Sequence, residues 1–238
     1  MSNTPIGGPA QRPSYEVSSE ADFREYLRSV FNYMAGGLAL TGAISFGAAA
    51  TGVIEQLVQV PFLFLIIALA PVGVVWMLAS RINSMSLTAV QATYWVYSAL
   101  VGLSLGVIFL RYTGESIFRV FFITAGTFGA MSLYGYTTKA DLSRWGSFLF
   151  MGLIGIIIAS VVNLFLHSSM VQFVVSAAGV LIFTGLTAYD VNKIKQIAAN
   201  TAEFDDVAKK GAIMGALELY LDFINLFLML LRLLGDRR

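Results

Sequence analysis

The chain of 238 residues has no cysteine, a single histidine and few charged side chains. Without cysteine it forms no disulfide, thiolate metal site or cysteine nucleophile, although this absence says nothing about the redox compartment. Charged residues make up 12% of the chain, whereas a soluble domain has about 25%. The formal net charge is +1, which excludes a broad basic field for nucleic acid, so no nucleic-acid partner is predicted.

Hydrophobic residues make up 57% of the chain and gather in long stretches without Asp, Glu, Lys or Arg. A helix needs about 20 apolar residues to cross a bilayer, and the stretch 145–189 is long enough for two crossings. Together with a final apolar segment, these stretches predict an all-α integral membrane protein built as a bundle of seven transmembrane helices. The predicted spans are 29–52, 60–80, 87–110, 118–138, 145–166, 171–192 and 212–234.

The N-terminal segment has a different composition, polar and rich in proline, glycine and serine, which is typical of disorder. Ser19 followed three residues later by Asp22 predicts a helix start, because a hydroxyl and an acid at this spacing cap the first backbone amides. Apolar residues at helical spacing over 23–30 indicate an amphipathic lead-in at the membrane surface. We therefore predict a disordered tail over 1–22 and a transmembrane domain over 23–236.

The distribution of Lys and Arg predicts the orientation in the membrane. With the N-terminus in the cytoplasm, ten of the 15 basic residues lie in inside segments and the other five outside. The positive-inside rule therefore favours a cytoplasmic N-terminus and an outside C-terminus. The lipid bilayer is the first predicted partner. The five outside residues are Arg111, Arg119, Arg232, Arg237 and Arg238.

The last predicted span carries two carboxylates and an amide, Glu218, Asp222 and Asn225. Their spacings of four and three residues put all three on one helical face. An ionised aspartate at mid-membrane costs about 2.5 to 3.5 kcal/mol on insertion scales, so this face must meet protein or water. The remaining acidic residues lie in predicted loops and tails, except Asp190, which lies at the end of the sixth span.

Asp190 and Asp222 lie on consecutive antiparallel helices, so the two carboxyl groups can meet if the connection brings them to one depth. Two carboxylates within a few ångströms do not both ionise cheaply; they share a proton and titrate in coupled steps. Such a pair is suited to act as a pH-sensitive latch. When deprotonated it repels itself or makes a transient contact with a cation such as Ca²⁺, which prefers oxygen ligands.

Each of these residues also has a purely structural interpretation. Asp222 can be a protonated acid that only packs against a neighbouring helix, and Glu218 can reach the lipid headgroups and be solvated. Asp190 can form an ordinary helix-end ion pair with Lys193. Arg81 follows the second span directly, where it is either a positive-inside anchor or the counter-charge that latches an acid.

The motif LYLDFINLF at 219–227, with Ala-Tyr-Asp ending at Asp190, resembles the transmembrane Bax inhibitor motif family. The segment YMAGGLALT at 33–41 is similar to its bacterial members. This similarity, together with the short loops, favours a bacterial inner membrane. The resemblance implies a seven-helix bundle with the last helix central, and a pH-dependent Ca²⁺ leak without a cofactor or catalytic residues. It implies that Asp190 and Asp222 form the sensor. It also implies an arginine near the second helix that pairs with the sixth-helix aspartate, for which Arg81 is the candidate.

Two other functions remain open from the sequence. Aspartyl intramembrane proteases also place paired aspartates on neighbouring helices. Their second aspartate follows Gly-x-Gly and a Pro-Ala-Leu segment comes later, whereas Asp222 follows Tyr220-Leu221 and no proline follows Pro71. Alternatively, bacterial relatives are described as modulators of a membrane-bound quality-control protease, for which the polar tail would be the presented element.

Overall fold

The computed structural model describes residues 19–238, and the tail predicted over 1–22 lies mostly outside this part. Short polar side chains begin most of its long helices, since each accepts a hydrogen bond from a backbone amide three residues on. Ser19, Ser86, Thr113, Ser168 and Asp205 do so. The described helices are α1 Glu20–Ala50, α2 Val53–Val58, α3 Pro61–Arg81, α4 Leu87–Leu105, α5 Ile108–Arg111, α6 Gly114–Thr137, α7 Ser143–Leu166, α8 Ser169–Ala199 and α9 Asp206–Leu234.

Seven of these segments, with α4 and α5 counted together, are long and apolar enough to cross a membrane. The predicted seven-helix membrane fold is therefore confirmed. Three helices extend past the predicted spans: α1 begins at Glu20, α8 continues to Ala199 and α9 begins at Asp206. Hydropathy marks where a helix can meet lipid, whereas the helix itself ends where its backbone hydrogen bonds end.

The predicted amphipathic lead-in is not a separate surface helix, because residues 23–30 are the first turns of α1. Tyr26 and Val30 are buried in the protein. The ring of Tyr26 packs edge-on against Phe204, in the connection between α8 and α9, with ring centroids 6.1 Å apart. The apolar face therefore covers protein and not a lipid surface. Glu20 to Asp22 form the first helical turn, so the boundary predicted after residue 22 lies inside the helix.

Burial differs strongly between the seven spans. In the most apolar window of α9, 67% of the residues are buried, against 11% for α3 and for α7. The last helix packs against α1, α4, α6 and α8. Helices α3 and α7 instead present broad apolar faces to the outside, as expected where lipid covers the protein. The buried polar side chains of α9, Tyr220 and Asp222, therefore face other helices.

Close contact between α1 and α4 depends on small residues. A side chain at Gly37 would collide with Tyr94, and one at Gly102 would meet the backbone of Thr41. This proximity lets the Thr41 hydroxyl donate to the carbonyl oxygen of Ser98 at 2.8 Å. The same hydroxyl lies 2.6 Å from the hydroxyl of Tyr220 on α9. One buried hydroxyl therefore joins α1, α4 and α9.

Replacing Tyr220 with phenylalanine is expected to lower the free energy of unfolding by about 1 kcal/mol, since hydrogen bonds between membrane helices are worth this order. Thr41 keeps its bond to Ser98, so no buried donor loses its only acceptor. Unfolding in mixed detergent micelles measures the change. The matched control is Tyr134→Phe, because Tyr134 is exposed on α6. Equal losses in both variants would contradict the assigned hydrogen bond.

Candidate functional site

Asp222 lies on the buried side of α9, with 5% of its surface exposed. Leu219, Tyr220, Phe223 and Leu226 surround it on the same helix and are buried as well. Its Oδ2 atom is buried and receives no hydrogen bond from any donor among residues 19–238. A buried carboxylate oxygen without a donor is costly, so this atom needs a proton or a cation.

Asp190 lies inside α8 and not at its end, because the helix continues to Ala199. Its half-buried carboxyl group faces that of Asp222 closely enough for a direct side-chain interaction. The two antiparallel helices therefore bring the acids to the same depth. Two ionised carboxylates would present only acceptors to each other. A single proton between them would supply a hydrogen-bond donor to the Asp222 carboxyl group.

Glu218 and Lys193 form an ion pair next to the two aspartates. The Lys193 Nζ atom lies 2.8 Å from Oε1 and 3.0 Å from Oε2 of Glu218. Both side chains are partly exposed, at 40% and 36%. Lys193 on α8 thus forms its ion pair with Glu218 on α9, and not with Asp190 as the helix-end interpretation predicts. Its position three residues after Asp190 puts it on the same face of α8, a signal that was present in the sequence.

A cavity of about 830 Å³ opens at these acids, between α7, α8 and α9. Asn225 also lines it, while its amide donates to the backbone oxygen of Leu221 at 2.8 Å. Helix α7 supplies a mostly apolar wall opposite the carboxyl groups. The polar residues of the lining are Ser147, Ser160, Tyr189, Asp190, Lys193, Glu218, Asp222 and Asn225, and the α7 wall includes Phe150, Leu153, Ile156 and Ile157.

The α8 side of the site is held by α6. A Cβ atom at Gly135 would meet the backbone of Ala188, so the two helices touch through their main chains. The Asn192 amide donates to the Gly135 oxygen at 3.1 Å, and the Lys195 Nζ atom lies 2.6 Å from the Tyr136 oxygen. These contacts satisfy carbonyl groups at the end of α6. They also fix the segment of α8 that carries Asp190.

Arg81 does not join this group. It is exposed at the end of α3, a helix that packs against α2 and α4. Its guanidinium forms no ion pair within residues 19–238. The cation near the aspartates is Lys193. The position of Arg81 at the end of a span could be predicted from the topology alone. Its ion-pair partner could not, because that depends on which helices pack together.

No group of three or more His, Cys, Asp or Glu side chains in the described part of the chain is arranged to hold a metal ion. Asp190 and Asp222 supply at most four carboxylate oxygens, whereas Ca²⁺ takes about six to eight oxygen ligands. The chemistry of this donor set therefore suits a transient cation contact that is completed by water. The transient Ca²⁺ contact predicted from the sequence stays a prediction.

Comparison with known proteins places the chain among membrane proteins. Residues 23–238 match the family described as "Inhibitor of apoptosis-promoting Bax1". The chain is 45% identical to the inner membrane protein YbhL of Escherichia coli over 224 residues, covering 93% of this chain and 96% of that protein. It is 48% identical to the protein RP147 of Rickettsia prowazekii over 218 residues, covering 90% and 91%.

A Streptococcus pyogenes protein named as a membrane protein is 33% identical over 222 residues, covering 92% of this chain and 96% of its own. The names of the Escherichia coli and Streptococcus pyogenes relatives describe membrane proteins, and none of the three names states an enzymatic activity. The matched family spans all seven membrane-crossing helices and includes both aspartates. The chain therefore belongs to the Bax inhibitor family of integral membrane proteins.

Proposed function

We propose that this protein is a pH-sensitive cation leak, with Ca²⁺ as a permeant ion and the Asp190–Asp222 pair as its latch. The observation that carries the proposal is the buried carboxyl group of Asp222, whose Oδ2 atom has no donor within residues 19–238 and which interacts with the carboxyl group of Asp190. A shared proton satisfies that group and joins α8 to α9. Loss of the proton removes this link.

Charge near the pair supports a gate at this place. With the shared proton gone, the cluster contains three carboxylates and one ammonium group, from Asp190, Asp222, Glu218 and Lys193. Like charges at short range in a poorly hydrated site repel strongly. The cluster then relaxes either by moving α8 and α9 apart or by taking up a cation. Both responses favour cation entry into the adjacent cavity.

The cavity supplies the entrance to the proposed pathway. Its carboxylate, amide and hydroxyl groups line one side over the length from Glu218 to Asn225, and such oxygen atoms replace water around a cation. In the orientation inferred from the basic residues, with the N-terminus cytoplasmic and the C-terminus outside, Lys193 marks the cytoplasmic end. The latch would thus exchange its proton with the cytoplasm.

Purified protein in liposomes tests the leak itself. Because loss of the shared proton opens the latch, we expect Ca²⁺ entry to rise with pH across about pH 5 to 8. A trapped fluorescent indicator measures this entry. Liposomes without protein, and liposomes with heat-unfolded protein, are the controls. Folded protein that passes no Ca²⁺ at any pH would overturn the proposal.

The alternative function, modulation of a membrane-bound quality-control protease, depends on the tail, which lies outside the described residues. Deletion of residues 1–18 separates the two functions. In a leak gated by Asp190 and Asp222, flux survives the deletion, because α1 begins at Glu20 with its own cap. A modulator that presents its tail would lose its effect on proteolysis. Neither function requires the protein to be an enzyme.

A further inference from the structure

A second cavity lies at the opposite end of α7, α8 and α9, and the leak proposed above makes no use of it. Its volume is about 520 Å³, and no carboxylate side chain from residues 19–238 lines it. It shares Ser160 with the cavity at the aspartates. Its lining combines two guanidinium groups with amides and an imidazole: Arg111, Ser160, Asn163, Leu164, His167, Gln172, Val175 and Arg232.

The two arginines have no acidic partner in the described part of the chain. The Arg111 guanidinium forms no ion pair or hydrogen bond there, and Nη1 of Arg232 only lies 4.0 Å from the sulfur of Met229. Arg119, at the same end of the molecule, is different, because it lies 2.9 Å from Asp236. Two guanidinium groups around one cavity repel each other, and an anion between them removes this repulsion.

The other polar groups also suit an anion. The Asn163 Oδ1 atom already accepts a hydrogen bond from the Ser168 backbone at 3.0 Å, so the amide nitrogen is the group left to donate. Gln172 lies in the first turn of α8, whose N-terminal end carries partial positive charge. Guanidinium and amide donors together match the oxygens of a phosphate group.

The depth of the cavity indicates the source of that phosphate. Gln172 lies 18 positions before Asp190 on α8, which is about 27 Å of helix at 1.5 Å per residue. The hydrocarbon core of a bilayer is about 30 Å thick. The cavity therefore lies near the membrane interface opposite the Lys193 end of the site, where lipid phosphates are abundant.

We propose that Arg111 and Arg232 bind a phosphate group in this cavity, supplied by a lipid headgroup or by free phosphate. The two guanidinium groups hold its oxygens, and Asn163 and Gln172 supply further donors. This site is independent of the leak. It would exist whether or not Asp190 and Asp222 form a latch.

Titration of the purified full-length protein with phosphatidylglycerol, followed by native mass spectrometry, tests the site. Diacylglycerol with the same acyl chains is the probe without phosphate, and inorganic phosphate followed by calorimetry is the probe without a lipid. The double variant R111Q/R232Q is compared with R237Q/R238Q, which removes the same charge at the same end but outside the cavity. Q172E keeps the side-chain shape and adds a carboxylate beside both arginines.

The wild type and R237Q/R238Q should bind phosphatidylglycerol, whereas R111Q/R232Q and Q172E should bind it about tenfold more weakly or worse. Diacylglycerol should not compete. If inorganic phosphate shows this pattern and the lipid does not, the site takes free phosphate. Binding of neither phosphate probe to the wild type, or equal weakening in R237Q/R238Q, would overturn the proposal. If R111Q/R232Q does not fold, undiminished binding by Q172E overturns it too.

Discussion

Replacing Asp222 with asparagine is expected to abolish the pH dependence of Ca²⁺ flux. The amide has the shape of the acid but cannot ionise, and it donates a permanent hydrogen bond to the facing carboxylate of Asp190. A gate that releases one proton changes its open population by up to about tenfold per pH unit. In the variant, flux should stay low and vary by less than about twofold over the same range, since no proton is shared. Liposome flux measured at several pH values gives both profiles.

Asp190→Asn should give the same flat profile, because either amide can replace the shared proton. The double variant should be no flatter than each single variant, since residues that act as a unit are not additive. Asp206→Asn is the matched control: it makes the same change on α9 at an exposed residue outside the site. A full pH dependence in either single variant, or its loss in the control, would contradict the latch.

Replacing Gly135 with alanine is expected to destabilise the protein by about 1 to 3 kcal/mol, the usual cost of overpacking. The new methyl group would meet the main chain of Ala188, which cannot rotate away as a side chain can. Separation of α6 and α8 would also weaken the hydrogen bond from Asn192 to the Gly135 oxygen. Unfolding in mixed micelles measures the loss.

Gly126→Ala on the same helix is the control for this prediction. No atom of the described part of the chain lies within 4 Å of a Cβ atom at Gly126, so alanine there should be neutral or stabilise the helix by about 0.5 to 1 kcal/mol. Because Asn192 lies two residues from Asp190, Gly135→Ala should also alter the pH profile of flux, whereas Gly126→Ala should not. Equal stability of the two variants would contradict the close contact between α6 and α8.

The membrane fold could be predicted from the sequence because apolar stretches report the thickness of a bilayer directly. Helix ends were less predictable, since α1, α8 and α9 continue beyond the apolar residues through capped, polar turns. The amphipathic residues 23–30 illustrate the difference. Their pattern predicts an apolar face, but only the packing shows that protein covers it.

The candidate site could be predicted only in part from the sequence. Polar residues at helical spacing inside an apolar span need polar partners, and this rule identifies Glu218, Asp222 and Asn225 as candidate site residues. Whether Asp190 reaches Asp222 depends on the connection between α8 and α9. The residue pattern does not predict how far this connection extends in space. The roles of Lys193 and Arg81 depend on which helices are neighbours. Helix α3 packs on α4 and leaves Arg81 exposed, while Lys193 reaches Glu218 on α9.

The paired arginines at the other end required the tertiary structure. Counting basic residues placed Arg111 and Arg232 in separate outside segments and gave no reason to connect them. They line one cavity because the ends of α5, α7 and α9 lie near the start of α8. Sequence spacing does not report such a meeting of four elements.

The most direct test of the central claim is whether one proton is shared between Asp190 and Asp222 in the closed protein. Infrared difference spectroscopy of the purified protein in lipid detects the carbonyl stretch of a protonated carboxylic acid. We predict one such band in the wild type under closed conditions, which shifts or disappears in both Asp190→Asn and Asp222→Asn and is unchanged in Asp206→Asn. A band that neither substitution affects, or no band in the closed wild type, would contradict the shared proton and the latch built on it.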